Sequence, residues 1–533
     1  MLNEDVVSAA AEADGSLTIR PERVREVELK LLGSSAALSQ LHEAPPIQRY
    51  ARTVGTARRL EAVYYDTPDR TLFRQGLTLR VRRHGRRYMQ TLKRGPTPEN
   101  PFAREEWETP VDSIVPNLSL LHPSGASPLF EELSEGALNP IFVTKVRRHT
   151  RCLDLGGTQV EVAFDEGAIE VGDRCVPLAE VELEMKSGDS CALYDLGIDL
   201  IEITPLRVSM RSKAERGYDL AFGSAPQAVK AAAPILALGC AVDDIVAVLL
   251  GACQYQVLAN QAVAEAGGDP EGVHQMRVAL RRLRTASTLL GRELGLPTLR
   301  TISDDAKWLA QILGAARDWD VFITETLNGP SEALGTEIDF DVLRRAAEPY
   351  RAMAYETLRE AFASKRYNRF QLLLLRWIAA RGWRNELADR PLSALLEPGS
   401  AFATRVLDRF HHQAMRRGKH FQHLSPEARH RVRISLKKLR YALEFFADLH
   451  VSDGIWKNYT RSLAKLQDAL GRDNDAVATL PRLVTVSHNA ATPDLERCVG
   501  AVIGWQARDR IETSRKLHEL WCEFKAMPPV WGN

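Results

Sequence analysis

Charged and aliphatic residues alternate strictly in the segment Glu26-Val27-Glu28-Leu29-Lys30, near the start of the chain. Successive side chains of a β-strand point to opposite faces, so the three charged residues share one face and the two aliphatic residues share the other. If the aliphatic face packs into a core, the charged face must border water or a charged ligand. Two carboxylates and an ammonium group at this spacing suit a divalent cation together with a phosphate. The same pattern is also typical of a half-exposed strand in an ordinary sheet.

Several later segments alternate in the same way, and their charged faces differ in sign. Arg80 and Arg82 share a face of one segment, whereas Glu180, Glu182 and Glu184 share a face of another. Three glutamates on one face repel one another unless a cation lies among them. A sheet closed into a barrel can hold such residues on its inner face when the interior is wet and binds a charged ligand. The alternating segments are 77–82, 88–93, 159–165 and 180–186.

The period of the apolar residues changes near residue 230. Strand-like alternation ends at about residue 220, and from 234 to 525 the period is that of α-helices, with no convincing strand. A chain of 533 residues is long enough for two or three domains. The sequence therefore predicts an α+β protein with a β-rich domain and an all-α domain. The predicted parts are an N-terminal extension (1–21), a first domain (22–221), a linker (222–233) and a second domain (234–525). Within the first domain, helices are predicted over 34–60 and 190–202.

A motif of the form H-x-x-R-x-x-x-(K/R)-(K/R)-L-R occurs twice in the helical region. It begins at His274 and again at His430, and each copy is followed by a Leu-Gly pair and an arginine, Arg317 in the first case and Arg472 in the second. The two distances from histidine to arginine agree to within one residue. Paired blocks at matching intervals indicate an internal duplication, with repeats at about 234–390 and 391–525.

Each copy of the motif places basic residues in one row along a helix, at spacings of three, seven and ten residues. The rows are His274, Arg277, Arg281 and Arg284, and His430, Arg433, Lys437 and Arg440. Like charges so placed destabilise a helix by about 0.2–0.5 kcal/mol per pair. The arrangement therefore suggests a bound polyanion, whose counterions would be released on binding. The alternative is a solvated arginine-rich face, with Arg317 and Arg472 paired to the aspartates that follow them, and structural roles are expected for Asp318, Asp320, Asp473 and Asp475.

Taken in order, the motifs of the first domain resemble the CYTH domain of the triphosphate tunnel metalloenzymes. The matching pieces are ExExK at 26–30, Tyr65-Asp66-Thr67-Pro68, the 72–82 block ending in Arg80-x-Arg82, Thr91-Leu92-Lys93, Arg104-Glu105-Glu106-Trp107-Glu108, 161–165, ExExExK at 180–186, and Lys213 before Gly217-Tyr218. The resemblance implies an antiparallel, eight-stranded β tunnel barrel. The duplicated helical domain resembles the CHAD domain, which implies an all-α duplicated helical bundle.

The CYTH resemblance also implies roles for individual residues. The implied ligands of Mg²⁺ or Mn²⁺ are Glu26, Glu28, Asp165, Glu182 and Glu184. The implied phosphate-binding residues are Lys30, Arg80, Arg82, Lys93, Arg148 and Lys213, and Glu26, Glu28 and Lys30 form the catalytic group. Arg147 competes with Arg148 for the inward position, because adjacent strand residues face opposite ways. Glu161 and Glu180 are either further ligands or structural partners of the basic side chains.

The CHAD resemblance implies binding of inorganic polyphosphate. The implied residues are His274, Arg277, Arg281, Arg284, Arg317, His430, Arg433, Lys437, Arg440 and Arg472. The expected function is that of an inorganic triphosphatase, which hydrolyses inorganic triphosphate to pyrophosphate and phosphate in the tunnel while the helical domain holds polyphosphate. One rival is a hydrolase or cyclase acting on an organic triphosphate, such as thiamine triphosphate or ATP. A second rival is a non-catalytic polyphosphate-binding scaffold.

Other function classes find little support. The sequence has no G-x-S-x-G, no P-loop and no H-E-x-x-H. Aromatic residues are sparse around the basic rows, so nucleic acid is not expected as a partner. The most apolar stretch, 235–258, contains Asp243 and Asp244, which favours a buried helix over a membrane span. The start of the chain lacks a signal-peptide pattern, and the seven cysteines form no C-x-x-C pair. A cytoplasmic protein is expected, with association with polyphosphate granules.

Overall fold

The computed structural model describes residues 22–95, 102–121, 133, 136–387, 392–450, 454–489 and 492–531. The chain divides into two compact units, one formed by Met1–Leu193 with Ser209–Ser224 and the other by Tyr194–Val208 with Ala225–Asn533. The predicted N-terminal extension, 1–21, lies outside the described residues.

Eight strands of the first unit form a closed antiparallel ring. They are β1 (Glu22–Leu32), β2 (Thr56–Asp66), β3 (Leu77–His84), β4 (Arg87–Arg94), β5 (Ala103–Val111), β6 (Asn139–Leu155), β7 (Thr158–Val171) and β8 (Arg174–Ser187). The order around the ring is β1, β5, β4, β3, β2, β6, β7, β8, and β8 pairs again with β1. A short ninth strand spans Arg207–Ser209. The ring confirms the predicted eight-stranded barrel.

The aliphatic residues of the alternating strands face outward from this ring. Leu29 of β1 and Val181 and Leu183 of β8 have no exposed surface. The helix Ser35–His42 packs against β8 through buried aliphatic residues. Burying each leucine or valine contributes roughly 1.5–3 kcal/mol, so the outward face provides the core and leaves the charged face to the interior of the ring.

The helices of the first unit are Ser35–His42, Pro45–Tyr50, Thr71–Arg74 and Lys213–Phe222, with the first turn of Cys191–Ile203. The prediction of helix over 34–60 is wrong beyond Tyr50, because β2 begins at Thr56. The helix Lys213–Phe222 begins at a capping box between Ser212 and Glu215.

This last helix lies unusually close to the barrel wall. A Cβ atom on Gly217 would lie 2.2 Å from a ring carbon of Phe142 on β6, so only glycine allows the approach. The contact fixes where the start of the helix, and therefore Lys213, meets the barrel.

The second unit is helical, as predicted. Its helices are Val242–Ala266, Pro270–Leu294, Thr298–Val321, Asn328–Leu334, Asp341–Ala363, Lys365–Ala379, Gly399–Arg417, Pro426–Phe445, Gly454–Asn489 and Pro493–Ala526, together with the greater part of Cys191–Ile203. A π-helical turn, Phe322–Thr326, continues the third of them. Most of the long helices pack against the next long helix in the sequence, and their apolar residues form one large core and one smaller core.

Two segments that the sequence analysis placed outside the helical domain are bound to it by buried amides. The N–H of Val208 donates to Oδ1 of Asn368 at 2.9 Å, and residues 194–208 accordingly group with the second unit. Val229, in the predicted linker, donates to Oδ1 of Asn260 at 2.9 Å and accepts from Nδ2 of the same residue at 2.9 Å. Both asparagines are fully buried, so these segments are fixed parts of the helical unit.

The helix Val242–Ala266 is long and apolar enough, by length and composition, to cross a membrane. In the structure, 61% of its most apolar window is buried within the protein. Leu249, Leu250 and Val257 have no exposed surface. The core helix of a folded domain can be equally long and apolar. The burial of this helix therefore agrees with the buried helix that the sequence predicts.

Candidate active site: a charged tunnel

The ring of strands encloses a cavity of about 450 Å³. Its charged lining comes from seven strands, β1 and β3 to β8, and from the helix that starts at Lys213. The charged side chains that line it are Glu28, Lys30, Arg80, Arg82, Lys93, Arg94, Arg104, Glu106, Glu108, Arg148, Glu161, Glu182, Glu184, Lys186, Lys213 and Glu215. The cavity therefore brings together predicted residues of both signs, Glu28, Glu182 and Glu184 with Lys30, Arg80, Arg82, Lys93, Arg148 and Lys213, whereas Asp165 is buried in its wall.

Strand register places acidic and basic residues side by side on the inner face. Lys30 of β1 lies opposite Glu182 of β8, and Lys93 of β4 lies opposite Glu106 of β5. Glu28, by contrast, lies opposite Glu184. Two carboxylates that face each other across a pair of strands repel, unless a cation lies between them.

A compact group of ion pairs occupies one side of the cavity wall. Nζ of Lys213 lies 2.7 Å from Oδ2 of Asp165, 2.5 Å from Oε1 of Glu180 and 2.7 Å from Oε1 of Glu182. Arg148 donates to both oxygens of Asp165, at 2.7 and 2.6 Å, and also to Glu182. The two basic residues therefore bind the three carboxylates as a unit.

These contacts keep the buried carboxylates ionised. Burial by itself would raise the pKa of Asp165, but Lys213 and Arg148 hold that pKa below its ordinary value. Burial opposes ionisation of Glu182 as well, and Lys213, Lys30 and Arg148 hold its pKa well below the ordinary range. The same carboxylates raise the pKa of Lys213 against the effect of its burial.

The predicted metal ligands occupy two different environments. Asp165, Glu180 and Glu182 bring carboxylate oxygens within 4.8 Å of one another, a spacing suited to a metal, but the ammonium group of Lys213 contacts all three. Glu180 also binds Arg216 and has no exposed surface, which favours its role as a structural partner. The role of Asp165 as a metal ligand stays a prediction, since both of its oxygens are bound by Arg148.

Glu28 differs from that group, because its Oε1 atom is buried and accepts no hydrogen bond, although Nζ of Lys30 lies 3.0 Å away. Glu184 lies opposite Glu28 and Glu182 lies next to Lys30, so these three glutamates offer carboxylate oxygens as metal ligands. Hard oxygen donors of this kind fit Mg²⁺ or Mn²⁺. The side chain of Glu26 lies outside the described part of the chain.

Basic residues dominate the opposite part of the lining. Arg80 lies 3.6 Å from Glu106, and its buried Nε atom makes no hydrogen bond. Burial, with Arg80 and Arg148 nearby, lowers the pKa of Arg82 to about 10, so the guanidinium is still charged at neutral pH. A bound anion would relieve this repulsion, and arginines bind phosphate oxygens in a geometry that matches their planar fork.

In the helical unit, the duplicated motif produces the same contact twice. Nη1 of Arg277 donates to the carbonyl of Ala310 at 3.0 Å and lies 2.6 Å from where a Cβ of Gly314 would be. In the second repeat, Nη2 of Arg433 lies 3.5 Å from the corresponding position on Gly471. The glycine of each Leu-Gly pair thus lies against an arginine of the preceding basic row, and at Gly314 the approach is too close for a larger residue unless Arg277 moves.

The helices that carry the two basic rows meet where Nε of Arg281 donates to the hydroxyl of Tyr441 at 3.1 Å. Arg284 has a buried Nε atom that makes no hydrogen bond, and Arg440 pairs with Glu444 at 3.2 Å. Burial, together with Arg317 nearby, lowers the pKa of His274 and so favours the neutral imidazole. The row of the first repeat therefore presents arginine charge rather than imidazolium charge.

The acidic residues that follow the Leu-Gly pair have protein partners. Arg317 binds Glu325 at 2.6 Å rather than the adjacent Asp318, which binds Arg482. Asp320 is fully buried and accepts hydrogen bonds from Arg351 at 2.7 Å and from the Tyr355 hydroxyl at 2.8 Å. These contacts agree with the structural roles expected for the two aspartates. The side chains of Arg472, Asp473 and Asp475 lie outside the described part of the chain.

Two family models match the chain. The CYTH domain model matches residues 24–218, and the CHAD domain model matches residues 248–484. The chain is a CYTH domain fused to a CHAD domain. Both resemblances drawn from the sequence are therefore confirmed.

The similar proteins match this fusion over different lengths. An inorganic triphosphatase from Haemophilus influenzae is 35% identical over 157 residues, which are 29% of this chain and 44% of that protein. The chain thus spans less than half the length of this relative. An uncharacterized protein from Mycobacterium tuberculosis is 25% identical over 525 residues, 93% of this chain and 95% of its own length. Among solved structures, the CHAD domain from Ricinus communis is 28% identical and covers 57% of this chain and 98% of its own, with a TM-score of 0.48.

Some residues of the CYTH tunnel were given no role in the sequence analysis. Glu106 and Glu108 line the cavity from the block that carried the resemblance, and their alternation with Trp107, which is buried, was a usable signal. Tyr64 is buried beside Arg80, and although burial would raise the pKa of Tyr64, Arg80 and other cations lower it. The sequence left open whether Arg147 or Arg148 faces inward. In the structure Arg148 lines the tunnel and Arg147 is exposed outside it.

Proposed function

We propose that the CYTH domain hydrolyses inorganic triphosphate to pyrophosphate and phosphate with the help of Mg²⁺ or Mn²⁺. The observation that carries this proposal is the meeting of Arg80, Arg82 and Lys93 with the carboxylates of Glu28 and Glu184 in one cavity of about 450 Å³. Such a cavity can bind a compact polyanion and its metal together. The identity to an inorganic triphosphatase over 157 residues supports the same reaction.

The basic residues would bind the substrate and stabilise the charge that develops on it. Water would attack the terminal phosphorus, the bridging P–O bond would break, and the pyrophosphate would leave with the electron pair, while the proton of the attacking water passes to the solvent or to the leaving oxygen. Arg80, Arg82 and Lys93 would interact with the phosphate oxygens as negative charge shifts to the leaving group. The network of Arg148 and Lys213 would keep Glu182 charged and in place.

The predicted catalytic group, Glu26, Glu28 and Lys30, lies on β1. Nζ of Lys30 lies between Glu28 at 3.0 Å and Glu182 at 3.2 Å, so it would orient both carboxylates. Glu26, Glu28, Glu182 and Glu184 would hold the divalent metal, which neutralises phosphate charge and activates water when bound.

The reaction is tested by substrate choice. The full-length protein is incubated with inorganic triphosphate, ATP, thiamine triphosphate and long-chain polyphosphate, with Mg²⁺ or Mn²⁺, and phosphate release is measured. We expect the highest kcat/KM for inorganic triphosphate, and loss of turnover when EDTA removes the metal. Preference for either organic substrate would support the corresponding rival function. No turnover of any substrate, with polyphosphate still bound, would support a scaffold.

We also propose that the CHAD domain binds inorganic polyphosphate along its two basic rows. In support, the rows lie on Pro270–Leu294 and Pro426–Phe445, which meet at the contact of Arg281 with Tyr441. The unpaired Nε atom of Arg284 offers a further donor. We place the protein in the cytoplasm, at polyphosphate granules, which microscopy of a fluorescent fusion in granule-forming cells would test.

A further inference from the structure

A second basic groove, of about 470 Å³, lies on the outside of the CYTH barrel. Its charged lining is Arg59 and Glu61 of β2, Arg83 of β3, and Lys145 and Arg147 of β6. Arg83 and Arg147 directly adjoin tunnel-lining arginines in the sequence, and adjacent residues of a strand face opposite ways. The groove is therefore the outer face of the same wall that carries Arg82 and Arg148 on its inner face.

Two positive charges of this groove face each other, which destabilises the protein when no anion is bound. Arg59 and Arg147 are direct partners in the register of β2 and β6. Side chains directly opposite each other on one face have Cβ atoms about 4.5–5.5 Å apart, where like charges destabilise a sheet. Within the part of the chain that the structure describes, neither arginine forms a salt bridge.

The remaining charges only partly compensate this pair. Glu61 is the register partner of both Arg83 and Lys145, so one carboxylate faces two cations. Lys145 is further paired with Glu170 at 2.6 Å, and Glu166 of β7 is the register partner of Arg147. Three exposed arginines and one lining carboxylate leave the groove with an excess of positive charge.

We propose that this outer groove binds the phosphate chain of inorganic polyphosphate. Arginine guanidinium groups bind phosphate oxygens through paired N–H donors, and an anion between Arg59 and Arg147 would remove their repulsion. The residues that line the groove include no aromatic side chain, so bases have nothing to stack on and a nucleic acid is disfavoured. The site depends neither on hydrolysis in the tunnel nor on binding by the CHAD domain.

The test separates the groove from the basic rows of the CHAD domain. Binding of fluorescently labelled long-chain polyphosphate is measured by anisotropy at several salt concentrations, for the full chain and for the chain carrying Arg281→Gln and Arg284→Gln. In both backgrounds the groove is altered by Arg59→Gln with Arg147→Gln. The control is Arg49→Gln with Arg74→Gln, which removes two exposed arginines of the same unit outside the groove.

In the chain whose CHAD rows are altered, we expect the groove variant to weaken polyphosphate binding about tenfold at low salt. The slope of log affinity against log salt should fall by about 1.4, because a flexible polyanion contributes about 0.7 for each neutralised phosphate. The control pair should leave both quantities unchanged. Equal affinity of groove variant and control would overturn the proposal. So would tighter binding of single-stranded RNA of matched charge with the same arginine dependence, which would assign the groove to nucleic acid.

Thermal unfolding excludes a trivial loss of fold. Since Arg147→Gln removes a repulsion in the free protein, we expect its melting temperature to rise by about 1–3 °C while polyphosphate binding weakens. A fall in melting temperature together with weaker binding would attribute the loss to damaged structure and contradict the proposal. The kcat for triphosphate should be unchanged, since neither arginine lines the tunnel.

Discussion

Nζ of Lys213 lies 2.7 Å from Oδ2 of Asp165, in a contact where the side chains are 10% and 0% exposed. The lysine comes from the first turn of a helix and the aspartate from β7, so the contact joins the helix to the barrel wall. Glu180 and Glu182 share the same ammonium group. Removing the shared cation leaves three buried carboxylates with only Arg148, Arg216 and Lys30 to balance them, which is far more destabilising than loss of an exposed ion pair.

The variant Lys213→Met should lower the free energy of unfolding of the CYTH domain by about 3–5 kcal/mol, because three carboxylates lose their common cation. Lys186→Met serves as the control, since Lys186 pairs with Glu184 but its side chain is 47% exposed; we expect a change of about 0–1 kcal/mol. Urea unfolding followed by a barrel-specific probe measures both. Equal stabilities for the two variants would show that the buried group is not held by Lys213.

The same contact determines how stability depends on pH. Asp165 and Glu182 have pKa values below their ordinary 3.8 and 4.5 in the folded protein, so their contribution is fully present above about pH 5 and is lost as pH falls through the folded pKa values. Lys213 has a raised pKa, and its contribution is lost only in strong alkali. The melting temperature of the barrel should therefore be flat from about pH 5 to 9 and fall below pH 4.

The dependence of the melting temperature on pH is measured for the natural protein and for the double variant Asp165→Asn with Lys213→Met. With the paired charges gone, its melting temperature should fall less between about pH 5 and pH 2 than that of the natural protein. Parallel curves for the two proteins would assign the acid loss to other carboxylates.

Glu28 should matter for hydrolysis rather than for stability. Its buried Oε1 atom accepts no hydrogen bond, so this oxygen is available as a metal ligand. Glu28→Gln keeps the shape but removes a charged oxygen donor, and we expect kcat for inorganic triphosphate to fall by roughly 10²–10³. Polyphosphate retention by the CHAD domain should be unaffected. The exposed Glu43→Gln is the control. Loss of hydrolysis and polyphosphate binding together would contradict a division of labour between the two domains.

Arg82 and Arg86 provide a matched pair on one hairpin. Arg82 lines the tunnel, whereas Arg86 is exposed in the turn between β3 and β4. Arg82→Gln should raise KM for triphosphate by roughly 10- to 100-fold, as expected for loss of a charged phosphate contact of about 1.5–3 kcal/mol. Arg86→Gln should leave steady-state kinetics unchanged. If both variants behave alike, general surface charge rather than a tunnel contact binds the substrate.

The alternation of charged and aliphatic residues correctly predicted which residues face the tunnel in those strands that have one apolar face. In β8, Val181 and Leu183 are fully buried outside, and Glu182 and Glu184, which alternate with them, line the tunnel. The prediction failed at the start of β2, where residues 56–59 are all exposed and carry no apolar face. A strand without a buried face has no period-two signal, and helix was wrongly predicted there.

The position of Lys213 depends on a contact that no local pattern contains. Its ammonium group reaches three carboxylates of β7 and β8 because the helix that it starts lies against Phe142 of β6. The sequence identified Lys213 as a charged residue of the tunnel through a family motif. It could not indicate that this lysine would bind Asp165 and Glu180, residues that precede it by 48 and 33 positions.

The close packing of Gly217 makes that dependence testable. A Cβ on residue 217 would lie 2.2 Å from the Phe142 ring, so Gly217→Ala must displace the helix Lys213–Phe222 or the ring. We expect a loss of about 1–3 kcal/mol in the free energy of unfolding, typical of overpacking, and lower triphosphatase activity because Lys213 moves with its helix. Adding Phe142→Leu, which removes the ring, should restore part of both. Full activity and stability in Gly217→Ala alone would show that the helix can shift without disturbing the charges that it carries to the tunnel.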